Sequence, residues 1–151
     1  MKKLLIFTLL TIAISCSAQS EKTVVSNEII EILKRDTNII FVDFHAEATS
    51  EKLAMGYYLD GRVTAVLGTH THVQTADERI LPNGTAYITD AGMTGAEHSV
   101  LGLDIEMATN KFLSFVPAKF TIAEGNARLR GVIVDVCTQS GLAVKIERVD
   151  I

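Results

Sequence analysis

The sequence predicts an α/β fold: parallel strands linked by crossover helices, then antiparallel C-terminal strands, with a signal-like segment in front. Three observations predict it. "NIIFVDF" and "RVTAVLG" are unbroken β-branched and aliphatic runs, the pattern of parallel strands buried on both faces. "TSEKLAMGYYLDG" lies between them and reads as a helix, so it fits the right-handed crossover that joins two parallel strands. From Ala127 onward the chain is strand-rich with short connections, which suits antiparallel pairing. With 151 residues, 48% of them hydrophobic, the chain can bury one compact core.

The N-terminus stands apart from that core. Lys2 and Lys3 precede an apolar run from Leu4 to Ile14 that ends in small residues, the three-part plan of an export signal. The run is short for a membrane-spanning helix. Cys16 sits in a stretch resembling a bacterial lipoprotein cleavage box, where it would become the lipidated first residue. Cleavage after Ala18 is the other outcome, and a buried N-terminal helix is the reading without export. The expected organisation is a signal over 1–19, a tether over 20–27 and a domain over 28–151. The expected location is the periplasm or a lipid anchor, with membrane contact only through that anchor.

Within the domain, Ile29, Ile30, Ile32 and Leu33 share a helical face, with Ser26 or Asn27 as cap and Glu28 in the first turn. The strand "NIIFVDF" follows and delivers His45. The next helix takes Thr49 or Ser50 as its cap and Gly61 beyond its end. "RVTAVLG" delivers His70, and "GTAYITD" is a third strand after the Pro82-Asn83-Gly84 turn. "LDIEMATNKFLSF" reads as helical. "AKFTIAE", "ARLRGVIVDVC" and "LAVKIERVDI" read as strands, the last two joined at Gln139-Ser140-Gly141.

Net charge is −4 and there is no basic stripe to neutralise phosphates, so a nucleic-acid surface is not expected. Tryptophan is absent and aromatics are few, which argues against a base-stacking platform. Cys137, in a β-rich run, is expected to pack as a small hydrophobe.

Chemistry in open α/β sheets gathers at the carboxyl ends of strands. His45 ends one predicted strand and His70 the next, and the intervening helix makes those strands parallel neighbours. His70 and His72 differ by two positions, so in an extended segment both side chains point the same way. Neutral imidazoles gathered at one edge form part of a transition-metal site. Taken alone, a His-x-His pair is a weak signal and more often belongs to a solvated loop. Asp43, two positions before His45, either accepts a hydrogen bond from a ligating imidazole or faces a helix N-terminus. Asp90 brings a further carboxylate to the same edge. Gly92 and Gly95 either let that loop approach a ligand or simply make turns. His98 lies in a polar loop and reads as a surface histidine.

The blocks "DFHAEATSEK" and "GTHTHVQTADERILPNGTAYITD" closely resemble the YmdB-type metallophosphoesterases, a bacterial branch of the calcineurin-like superfamily. The likeness runs from about Glu28 to the C-terminus. It implies an α/β/β/α sandwich, a two-metal site and phosphodiester hydrolysis, with cyclic nucleotides such as 2′,3′-cyclic AMP as substrates. It implies a divalent transition metal, iron or manganese before zinc. By position, His45 and His70 match ligands of one metal and His72 a ligand of the other. The family's N-terminal half supplies an aspartate, a bridging carboxylate, asparagines and a general-acid histidine. None has a counterpart here, so no general acid is assigned and a partial sandwich is expected. Three histidines can hold one open-sided metal, but two cations held close together need a bridging anion. The expected partners are therefore a phosphodiester substrate and either further copies of the chain or a chain carrying the other half-site. The competing expectation is an exported, non-catalytic lipoprotein that binds metal or a partner.

Overall fold

The computed structural model describes residues 27–114 and 119–151. The expected signal, Cys16 and all of the expected tether but Asn27 lie outside the described residues, and Asn27 is already helical. Among the described residues no helix is long and apolar enough to cross a membrane.

Residues 27–33 form α1. β1 spans Phe41–His45, α2 Thr49–Tyr58 and β2 Ala65–Thr69. β3 is Arg79–Ile80, β4 Ala86–Ile88 and β5 Gly95–Ala96. α3 spans Ile105–Ser114, and Asp104 caps it by accepting the Met107 N–H at 2.8 Å. β6 is Ala127–Arg128, β7 Arg130–Val136 and β8 Ala143–Asp150.

The main sheet has the order β1-β2-β4-β3. β1, β2 and β4 are parallel, and β3 adds an antiparallel edge. The helix predicted between "NIIFVDF" and "RVTAVLG" does join two parallel neighbours, in a register that sets Phe41 opposite Ala65 and His45 opposite Thr69. Alternation along these strands sorts the side chains into two layers. Val66 and Tyr87, paired across β2 and β4, face α1 and α2 with Ile30, Phe44, Leu59 and Leu81. Ala65 and Ala86 face the other way and meet Ala143, flanked by Leu67, Val134 and Ile146. Three alanines at that seam let the β7–β8 hairpin pack closely on the sheet. The layers are helices, parallel sheet and antiparallel hairpin, a mixed α/β arrangement as expected.

Three details differ from expectation. α2 is capped by the Ala48 backbone with no side-chain cap, because the helix begins one residue early and draws Thr49 and Ser50 inside it. Residues 119–124 form no strand; their contribution is one bridge, Leu103 to Ile122. The alternation was real but no strand lies alongside, and Ile122 is left 83% exposed. The turn-rich stretch after β2 contributes β3, which is too short to register as a period-2 pattern. Cys137 is half-buried with a free thiol, held beside the Ser140 hydroxyl, which with nearby backbone donors lowers its pKa.

Candidate metal centre

β1 and β2 run parallel, so both end on the same side of the sheet and deliver His45 and His70 together. The ring nitrogens His45 Nε2 and His70 Nδ1 are 3.2 Å apart, and the rings meet edge to face at 77° with centroids 5.0 Å apart. Both side chains are open to solvent.

Thr69 occupies the position opposite His45. Its hydroxyl donates to Asp43 Oδ1 at 2.8 Å and lies 3.2 Å from His45 Nδ1. The single hydroxyl proton goes to the carboxylate, so His45 Nδ1 carries the proton and donates to Thr69. That assignment follows from the network and makes His45 Nε2 the acceptor of a hydrogen bond from His70 Nδ1–H, a contact that a bound cation would replace. Asp43 therefore reaches the imidazole through the threonine rather than by the direct hydrogen bond expected. Thr69→Val keeps the side-chain shape and removes the relay. It should leave the fold intact and weaken divalent-metal affinity roughly 10–100-fold, read by calorimetric titration of the two chains.

His72 does not join the pair along an extended segment. β2 stops at Thr69, and His70 and His72 take positive φ, 127° and 64°. Such backbone is unusual for L-residues and costs on the order of 1–3 kcal/mol per residue. The same-side argument for His70 and His72 therefore fails at its premise, since the segment is bent. Among the described residues no group of three or more His, Cys, Asp or Glu side chains converges where a metal ion would sit.

Asp90, at the end of the β4 segment, holds this bend. Its Oδ2 accepts the Thr71 N–H at 2.8 Å and the Lys52 ammonium at 3.0 Å, and its Oδ1 accepts the Gly92 N–H at 2.9 Å. Lys52 and Asp90 are each 1% exposed. Burial pushes the Asp90 carboxyl up, but the Thr71 and Gly92 amides and Lys52 outweigh it and hold the pKa below its ordinary value. Further along, burial likewise raises Asp77, and Thr75, Thr89 and Arg79 together bring it below the ordinary range. Both carboxyls have folded pKa values below their unfolded ones. Their stabilisation is complete above the unfolded value of about 3.9 and is lost as pH falls through the lower folded values. Urea unfolding should show stability falling below about pH 4, with a shallower fall in Asp77→Asn. An equal fall in both chains would contradict this. Sequence reasoning missed Thr69 and Lys52: the first depends on strand register, and the second is a lysine on a helix that reads as surface. His98 is exposed.

Two imidazole nitrogens bound to one ion at about 2.0–2.1 Å lie about 2.8–3.4 Å apart for angles between octahedral and tetrahedral. The His45–His70 separation of 3.2 Å falls in that interval. The donor pair thus fits a divalent metal, as two of the ligands it needs.

Fold and edge together define a mixed α/β domain with two imidazoles side by side at the carboxyl ends of its parallel strands. The chain belongs to the YmdB-like protein family, whose model matches residues 2–149. It is 57% identical over 124 residues to the 2′,3′-cyclic-nucleotide 2′-phosphodiesterase of Bacillus subtilis strain 168, covering 82% of this chain and 47% of that protein. A crystal structure from Mycoplasma pneumoniae, described as a novel phosphatase, superposes with a TM-score of 0.79 at 39% identity, over 96% of this chain and 50% of that one. One of a hypothetical protein from Thermus thermophilus superposes with a TM-score of 0.72 at 42% identity, over 82% of this chain and 49% of that one. The chain spans about half the length of these relatives.

Proposed function

We propose that this chain supplies the histidine half of a divalent-metal phosphodiesterase site, with cyclic-nucleotide phosphodiesters as the substrate class. The observation that carries this reading is the convergence of His45 Nε2 and His70 Nδ1, with His45 oriented through Thr69 by Asp43. The names borne by the Bacillus and Mycoplasma proteins support phosphoester chemistry. A divalent cation supplies Lewis-acid polarisation of phosphoryl oxygens, and iron or manganese is the first choice from the resemblance. His45 and His70 hold it, and Thr69 and Asp43 fix the tautomer that presents a lone pair. His72 stands on the same bend, available to a second ion. The remaining donors come from a second copy or from a chain bearing the complementary half-site.

The test is hydrolysis of bis(p-nitrophenyl) phosphate and of 2′,3′-cyclic AMP by the purified chain with Mn²⁺ or Fe²⁺, alongside metal analysis. His70→Ala should lower metal uptake by more than the roughly 10–100-fold that loss of a partner behind a ligand costs, and should remove turnover with it. Equal uptake by both chains would overturn the reading. A second reading follows from the absence of a third converging donor among the described residues. On it the chain is an exported lipoprotein, anchored through Cys16, that binds metal or a partner without catalysis. Stoichiometric metal uptake without turnover, by the chain alone and with its complement, would favour it.

A further inference from the structure

We infer that the buried Lys52–Asp90 ion pair is the positioning device that holds the backbone of the histidine loop in its ligand-presenting bend. The inference rests on the reading of His70 and His72 as metal donors. Lys52 comes from the first turns of α2 and Asp90 from the end of the β4 segment, and their hydrogen bonds run to each other and to backbone amides. Their junction lies beneath the peptide that separates the two histidines. One oxygen, Asp90 Oδ2, takes both the Lys52 ammonium at 3.0 Å and the Thr71 N–H at 2.8 Å. Its twin takes the Gly92 N–H at 2.9 Å. All three partners are donors, so the site is built for an ionised carboxylate, and the lysine is the cation that keeps it ionised.

The loop needs such a hold. His70 and His72 flank Thr71, and both adopt backbone that L-residues avoid. Besides the ring contact of His70 with His45, the segment 70–73 makes a local bond, from the Thr71 hydroxyl to the Val73 carbonyl at 3.2 Å. The bend is therefore tied to the scaffold at its centre by a charge-assisted bond whose charge is balanced from α2. Gly68 leaves room for this. A Cβ there would lie 3.0 Å from Lys52 Cδ, so the lysine stem passes alongside β2 on its way to Asp90.

A pair that merely fills space would affect stability and nothing more. The chain carrying Lys52→Met together with Asp90→Asn separates the two roles, because it leaves no unbalanced buried charge. The equally neutral pair Lys52→Gln with Asp90→Asn takes its place if this double variant does not fold. Two readouts are compared with the unaltered chain: hydrogen exchange of the Thr71 amide without metal, and Co²⁺ affinity from its visible absorption. We expect Thr71 exchange to quicken at least about tenfold and the Co²⁺ dissociation constant to rise roughly 10–100-fold, with the far-UV spectrum retained. Asp60→Asn, which loosens the β3–β4 turn at Asn83 and Thr85, should leave Thr71 exchange unchanged. A folded variant with unaltered Thr71 exchange overturns the inference, and so does equal acceleration in Asp60→Asn. If the unaltered chain takes up no Co²⁺, the metal-site reading fails, and Thr71 exchange alone decides the positioning role.

Discussion

Replacing Lys52 by methionine should lower the unfolding free energy by about 3–5 kcal/mol, the cost of stranding one partner of a buried ion pair. Asp90 has no route to water in the folded chain: it is 1% exposed, as is Lys52. Its remaining partners are the two amides of Thr71 and Gly92, which orient the carboxylate but bring no full charge. Methionine fills a similar volume and tests charge rather than shape. Adding Asp90→Asn should recover most of the loss, since the unbalanced charge disappears. Equilibrium urea unfolding of the three chains measures both effects. A Lys52→Met chain within about 1 kcal/mol of the original would show that solvent reaches the carboxylate.

Gly68→Ala should destabilise by about 3 kcal/mol, at the upper end for overpacked sites. The added Cβ would collide with the Thr89 carbonyl, a backbone atom that cannot rotate away. The neighbouring Gly68 carbonyl accepts the Ala91 N–H at 2.8 Å, so a shift of this strand also disturbs the loop beyond β4. The loss should appear as a lower urea midpoint together with weaker metal affinity. A midpoint unchanged from the original chain would mean that the strands separate at this point without cost.

How far the sequence disclosed this arrangement differs from element to element. β1, α2 and β2 were legible because burial on both faces demands continuous apolar runs, and a helix between such runs leaves parallel pairing as the simple solution. The meeting of His45 and His70 followed from that alone. What lay beyond reach depends on contacts between distant segments. Thr69 matters because register sets it opposite His45, and register is not written in either strand by itself. The bend at His70 and His72 depends on a carboxylate nineteen positions away, at Asp90. The expected strand at residues 118–124, of which 119–124 are described, had a suitable alternation, but pairing requires a neighbour, and Phe120 and Ile122 face outward instead. The likeness carried in "DFHAEATSEK" and "GTHTHVQTADERILPNGTAYITD" disclosed the family, though none of these contacts.

Gln74 bears on how the edge opens. Its side-chain amide reaches three carbonyls at once, Ala91 at 3.3 Å, Gly131 at 2.8 Å and Val149 at 3.2 Å. Two N–H groups serve three acceptors, so one is shared. The acceptors belong to the loop after β4 and to both strands of the hairpin. The stretch that follows His72 is therefore stitched to a layer on the far side of the sheet, and it cannot lift away while that layer stays in place. Loop and hairpin should behave as one cooperative unfolding unit, with amide protons on both exchanging through a common opening.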